Sequence, residues 1–509
     1  MEVGAEGFAR CLPRLRRRIL RAAFVALDME FTGLHSTFLQ NNEPSLFDSP
    51  AERYVKARRS VQRFTLVQLG KCCSDTESDL LRYVVHSYNF FLFPSTLGIR
   101  DVELTLSASS IRFLSHYGID YNKFLKDGIP YMNEVQEKIL RQHLSAGTWK
   151  VCSNNYADRD VLKKAIDEVT SWIATAKEED TMVLQDLNGY HMLEVQLVLR
   201  QALDNVWTEP LGDKKVMVKK VSPEHRQLLE NSPYDHCQKK LILLSARGFT
   251  NLFQILVKAK KPLVGHNMLM DLMHLHDKFY RPLPESYEEF KRNIHNLFPV
   301  IIDTKTVTKS VQKTCLFPRV SSLSEVYAVL CSSNLNPKGP PCPVIALASG
   351  CSRYAEKKSP HEAGYDAFLC GSAKTSFSFV FCCSAAVEAE PSFSQYLTLL
   401  AEHVNKVNFI RGGVSSINFS GEDAPCHHPP ALVVHVRGWP GLTERQIYQE
   451  FKARCRFDVR RLSENQFILL SNKYKHVRLV LRDYRRHPHL QVSVYRHWRH
   501  SPSVNCLLQ

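Results

Sequence analysis

The sequence predicts an α/β protein: a mixed sheet flanked by helices, interrupted by a small inserted module and followed by a second α+β unit. Three observations predict it. An apolar run, Phe24-Val-Ala-Leu-Asp28-Met-Glu30-Phe-Thr-Gly-Leu34, reads as a strand buried on both faces. β-Branched and aromatic runs recur first and helical patterns follow, the order of a sheet covered by helices. Near the C-terminus the pattern becomes β-α-β-β-α-β, the signature of an RRM-like fold. At 509 residues the chain exceeds one ordinary core. The boundaries fall as a core in two parts, 1–153 and 231–400, an insertion at 154–230 and a last domain at 425–500.

Taken in order, the basic stretch Arg14 to Arg21 reads as a first helix running directly into the opening strand, not as a cleaved leader. Phe64 to Leu69 and Tyr83 to Phe93 are further strands, with helices at Ser109 to His116 and Asn133 to Leu144. His35 to Glu52 is a polar connection that either borders a cleft or is simply solvated. In the insertion, Asp160 to Ala176 and Met192 to Leu203 read as helices and Lys215 to Val221 as a short exposed strand. Cys331 to Pro360 reads as a mobile connection. Gly371 to Val387 is rich in Phe, Ser and Cys and has no helical period, so a helix is not expected to continue through it.

Lys plus Arg is 66 against 51 for Asp plus Glu, a formal charge of +15, which suits a polyanionic partner or plain solubility. Fifteen cysteines show no paired CxxC spacing, so neither a disulfide framework nor a zinc site is indicated. No run reaches the ~18 apolar residues of a membrane span.

The chemistry lies in three separated pieces. Asp28 and Glu30 fall two apart on one strand, so their carboxylates leave the same side, and like charges there call for a divalent cation. A solvated strand edge would show the same pair. Asp271 follows Gly265-His-Asn267 in the first turn of a helix from Met268 to Phe279 capped by Asn267, where a helix dipole alone also favours an acid. His361 and Asp366 are five apart, about 140° around a helix, and share a site only if His361 leans in from the helix start.

Together these pieces resemble the DEDD exonucleases of the His-containing subgroup. With Gly118 to Pro130, Pro262 to Asp271 and Arg281 to Ser286, the likeness extends over most of the chain to the poly(A)-specific ribonuclease family. The resemblance implies an RNase H-like exonuclease core, an inserted nucleic-acid-binding-type module and an RRM-like C-terminal domain. It implies 3′→5′ hydrolysis of single-stranded RNA, with two Mg²⁺ ions held by Asp28, Glu30, Asp271 and Asp366 and with His361 as proton acceptor. Phe31 and Leu34 are then candidate packing surfaces for the terminal base. It leans toward trimming of piRNA precursor 3′ ends, with mRNA deadenylation and a catalytically silent RNA-binding scaffold as alternatives.

The implied partners are a docking protein of the small-RNA pathway and a second copy of the chain. The implied location is the cytoplasm, with recruitment to the mitochondrial outer surface through a partner. Trimmers of this kind carry a C-terminal anchor; the sequence stops at Gln509 without one, so membrane attachment by this chain itself is not expected. The Arg-x-x-x-His pair of the family's inserted module is absent from 154–230. On the last domain's central strands the only aromatic rings at stacking positions are His435 and Phe467. Arg478, Arg482, Arg485, Arg486, Arg496 and Arg499, with Trp439, Tyr495 and Trp498, make a basic end suited to phosphates or to plain solvation.

Overall fold

A computed structural model of the chain describes residues 1–500 except 37–41, 77–81, 96–101, 147–155, 188, 212–214, 231, 315–316, 333–343, 385–396, 427–430, 439–440, 454–456 and 472. Two compact units emerge, Met1–Leu34 with Arg58–Lys406, and His35–Ala57 with Val407 onward.

The first unit opens with β1 (Glu2–Val3), α1 (Ala5–Arg21) and β2 (Phe24–Phe31). After α2 (Pro50–Val61), whose residues up to Ala57 belong to the second unit, come β3 (Leu66–Thr76), β4 (Arg82–Pro94), α3 (Ala108–His116), α4 (Tyr121–Asp127), β5 (Ile129–Tyr131) and α5 (Glu134–Ala146). The insertion holds α6 (Tyr156–Thr175), β6 (Thr181–Leu184), α7 (Gly189–Ala202), β7 (Val206–Pro210) and β8 (Val216–Lys220). The insertion ends with α8 (Pro223–Glu230), whose Arg226 donates to the Leu203 carbonyl at 2.6 Å, and the core resumes with α9 (Pro233–Arg247), α10 (Phe249–Ala259), β9 (Leu263–Gly265), α11 (Leu269–Leu275), α12 (Tyr287–Leu297), β10 (Ile301–Asp303) and α13 (Thr304–Thr314). It closes with α14 (Leu323–Leu330), β11 (Val344–Leu347), α15 (Arg353–Glu356) and α16 (Ala363–Ser384).

The main sheet runs β1-β4-β3-β2-β9-β10, with β5 and β11 also paired to β4. It is mixed: β2, β3 and β4 are antiparallel neighbours, whereas β9 runs parallel to both β2 and β10. One face is covered by α1, whose Phe8, Leu15 and Ile19 are buried while Arg14, Arg16 and Arg17 face water. Phe8 and Phe249 of α10 close around Phe90, with ring centroids 6.3 and 5.2 Å from it. On the other face Phe24, Ala26, Cys72, Val85, Val264 and Ile302 meet Ala367, Cys370, Ala373 and Phe377 of α16.

Three expectations change here. α16 continues through Gly371 to Ser384, the stretch expected to break it; residues 385–387 lie outside those described. Cys370, Ala373 and Phe377 are buried, and so are Ser372, Thr375 and Ser376 around the same turns. A stretch of helix whose described side chains are buried on all sides, as between Gly371 and Phe377, carries no amphipathic stripe, so the missing period there reflects burial and not the absence of a helix. The connection after Cys331 is not featureless where it is described, because Val344-Ile-Ala-Leu347 joins the sheet parallel to β4. And β8 is the central strand of the insertion's three-stranded sheet, with Val216 and Val218 fully buried, not an exposed strand.

In the second unit a two-stranded ribbon, β12 (Lys406–Asn408) and β13 (Ser416–Asn418), precedes four strands. These are β14 (Leu432–Val436), β15 (Asp458–Ser463), β16 (Gln466–Leu470) and β17 (Leu490–Val494), with helices at Glu444–Lys452 and Tyr474–Asp483. The antiparallel order β15-β16-β14-β17 completes a β-α-β-β-α-β arrangement. Leu432, Val434, Phe467 and Leu469 pack on Ile447, Phe451, Val477 and Val480 of the two helices. Phe467 therefore belongs to the core and is no stacking platform: neighbouring side chains alternate faces, and its parity is that of the inward set. On the opposite face Leu470, with Ile468 and Tyr495 beside it, packs against Leu46 and Phe47 of the preceding segment. The connection read as polar thus places two apolar side chains on that sheet. Trp439 and the Trp498 side chain lie outside the described residues.

Candidate active site

Strand pairing sets Asp28 opposite Gly70 and Glu30 opposite Gln68. Gly70 leaves room for the start of α16, since a Cβ there would fall 1.8 Å from the Ala363 carbonyl oxygen. A helix N-terminus presents unpaired N–H groups, and buried against a sheet they need acceptors. The sheet supplies them: Ala363 N–H donates to Gln68 Oε1 (2.9 Å) and Gly364 N–H to Asn89 Oδ1 (2.5 Å), while Ser87 Oγ donates to the Gly364 carbonyl (2.6 Å). This fastening fixes the first turn of α16, and with it Asp366, over the acids of β2.

His361 lies before the helix with φ +62°, and its N–H donates to Asp366 Oδ2 at 2.8 Å. The left-handed residue lets the chain double back, which removes the 140° separation of a continuous helix. One ligand atom each from Glu30, His361 and Asp366 fall within 4.8 Å of one another.

β9 pairs with β2 at Val25–Leu263 and Ala26–Val264. Because the two run parallel, the turn after Gly265 emerges at the end of the sheet where Asp28 sits, and α11 follows with Asp271 in its first turn. Asn267 is not the cap expected of it. It sits at φ +64°, and buried Asp303 accepts from the N–H groups of Asn267 (2.8 Å) and Met268 (3.1 Å) instead. The helix itself is shorter than the expected Met268–Phe279, passing into a π-turn at His276–Tyr280.

The electrostatics tie the four acids together. Burial raises the Asp28 carboxyl well above its ordinary range, and the charges of Asp366, Asp271 and Glu30 push it the same way. Glu30 is raised by burial and by Asp366 and Asp271. Burial lifts Asp271 to about 8 and Asp366 to about 7. Under them the buried Cys370 thiol is pushed up by lost hydration and by the fields of Asp28, Asp366 and Asp271. Such a group ionises together only if a cation neutralises it. His361 goes the other way: partial burial lowers its pKa, which leaves its imidazole neutral and able to take a proton.

Of the two candidate base-packing residues, Leu34 is 46 % exposed, whereas Phe31 is 8 % exposed and stacks on His274 with centroids 4.2 Å apart. Sequence reading missed Gln68, Gly70, Ser87 and Asn89, which no motif marks because their partners lie more than 270 positions away. No helix among the described residues is long and apolar enough to cross a membrane.

The chain is similar in sequence to known ribonucleases. The pattern of the CAF1 family ribonucleases matches residues 3–373. A Mus musculus protein named Poly(A)-specific ribonuclease PNLDC1 is 55 % identical over 100 % of this chain and 96 % of its own length. The Bombyx mori Pre-piRNA 3′-exonuclease trimmer is 27 % identical over 98 % of this chain and 94 % of its own. Human Poly(A)-specific ribonuclease PARN is 29 % identical over 73 % of this chain and 61 % of its own. The chain belongs to the CAF1 family of ribonucleases.

Proposed function

We propose that this ribonuclease is a 3′→5′ exonuclease of single-stranded RNA that trims the 3′ ends of piRNA precursors. The observation that carries the chemistry is the convergence of Asp28, Glu30, Asp271 and Asp366, acids whose ionisation burial and mutual repulsion oppose. The Bombyx mori relative's name supports the substrate.

An all-oxygen donor set with an imidazole at its rim fits hard divalent cations, and two Mg²⁺ ions held by the four acids are the natural occupants. When bound, such ions supply a water of lowered pKa and offset charge on the departing 3′ oxygen. His361 takes the water's proton, and the Asp366 bond to its backbone N–H keeps it beside Glu30. Exposed Leu34 and the largely buried Phe31 pack the terminal base, and the product is a nucleoside 5′-monophosphate. A docking protein, a second copy of the chain and recruitment to the mitochondrial outer surface belong to the same reading.

Deadenylation is the second reading, favoured by the words "Poly(A)-specific" in the mouse relative's name. Purified wild type and Asp28→Ala, given 5′-labelled poly(A) and mixed-sequence RNA with Mg²⁺ and with free or 2′-O-methylated ends, separate the two. Trimming predicts a ladder on both sequences from wild type alone, with methylated ends spared. Equal cutting of methylated ends counts against trimming, strict preference for poly(A) selects deadenylation, and an unimpaired Asp28→Ala removes the site altogether.

A further inference from the structure

A general-base imidazole is ordinarily aimed by a hydrogen bond to one of its nitrogens, from a carboxylate or a carbonyl. His361 has none among the described residues. Its Nδ1 lies 3.9 Å from Glu30 Oε1, beyond hydrogen-bond distance, and its side chain is 40 % exposed. Only its backbone is tied, through the N–H to Asp366.

Two rings hold the imidazole instead. Phe113 of α3 meets it edge-on at 4.7 Å and 67°, and Tyr117, which caps the same helix, at 4.4 Å and 61°. The two rings also touch each other, with centroids 4.9 Å apart. They are 45 % and 41 % exposed, so the burial of α3 does not account for them. The segment leading into α3 is fastened to the end of β2, the strand that bears the acids. Ser107 N–H donates to the Thr32 carbonyl and Thr32 Oγ1 to the Thr105 carbonyl, each at 2.8 Å. Imidazole and acids are thereby referred to one strand.

We propose that Phe113 and Tyr117 are positioning residues for His361, orienting its ring through edge-to-face contact in place of a hydrogen bond. Contact of this kind limits rotation of the ring yet engages neither nitrogen, so both stay available for proton transfer. This rests on His361 acting as the proton acceptor.

The test is steady-state kinetics with Mg²⁺ on single-stranded RNA for Phe113→Leu, Tyr117→Leu, the double variant and Tyr117→Phe, each in wild-type and His361→Ala backgrounds. The double variant should lose about tenfold or more in kcat with KM within about twofold, each single variant less, and Tyr117→Phe almost nothing. In the His361→Ala background the same substitutions should cost nothing further. A rise in KM at constant kcat, or an equal loss without His361, overturns the proposal and makes the two rings direct contacts to RNA bases. His361→Ala at the wild-type rate overturns it from the other side, by removing His361 as proton acceptor, while Asp28→Ala still reports on the acids independently. Should the double variant unfold, the single variants carry the same comparison.

Discussion

Two carboxylate sites, one in each unit, are arranged in opposite ways. In the second, buried Asp48 is met by Arg53 Nε at 2.9 Å and Lys56 Nζ at 2.7 Å, and Asp458 is bound by Arg411 and by the Leu46 N–H at 2.6 Å. In the first, Asp28, Glu30, Asp271 and Asp366 converge, and among the described residues no lysine or arginine forms an ion pair with any of them. Paired acids join parts of the chain; here they fix the segment around Leu46 to the four-stranded sheet. Unpaired ones raise the free energy of the fold until a ligand of opposite charge arrives, and such groups gather at functional sites.

Breaking each region should therefore have opposite consequences. Asp28→Asn should cut the rate of RNA hydrolysis by at least about 10²-fold, the scale on which losing one electrostatic support of a transition state is felt. Without divalent metal the same variant should melt at a higher temperature than wild type, because one repelling charge is gone. Asp48→Ala should do the reverse. It leaves Arg53, which also donates to the Ile410 carbonyl at 2.6 Å, without its buried counter-charge, and should cost the second unit about 3–5 kcal/mol in urea unfolding.

Gly70→Ala tests the approach of α16 to β3. Its Cβ would collide with backbone, so it should cost about 1–3 kcal/mol of stability and lower kcat by displacing Asp366 and His361 together.

The same acids set a dependence on pH. Asp366 and Asp271 have folded pKa values of about 7 and about 8, above the ordinary 3.8, so the folded chain binds more protons than the unfolded one between those limits. Metal-free protein should lose stability as pH rises from about 4 to about 8, and Mg²⁺ should flatten that slope in melting curves.

The contrast also explains what could be read in advance. The acids were legible because each sits in a short local pattern, Asp-x-Glu on a strand or an acid in the first turn of a helix. What brings them together was not. Gly70, Gln68 and Asn89 act through contacts with α16 that only the fold creates, and Asp303 replaces Asn267 as the cap across 36 positions. Burial of the described side chains between Gly371 and Phe377 hid the helix there, because enclosure erases the period that betrays a surface helix. Phe467 could be taken for an outward ring because its strand is apolar on both faces, one against the helices and the other against the segment with Leu46 and Phe47.

Calorimetric titration of metal-free protein with Mn²⁺ tests most directly whether the four acids form one cation site. Wild type should take up two ions per chain, and Asp28→Asn and Asp366→Asn, on different elements, should each weaken or abolish that uptake. Uptake unchanged in either variant would contradict a shared site.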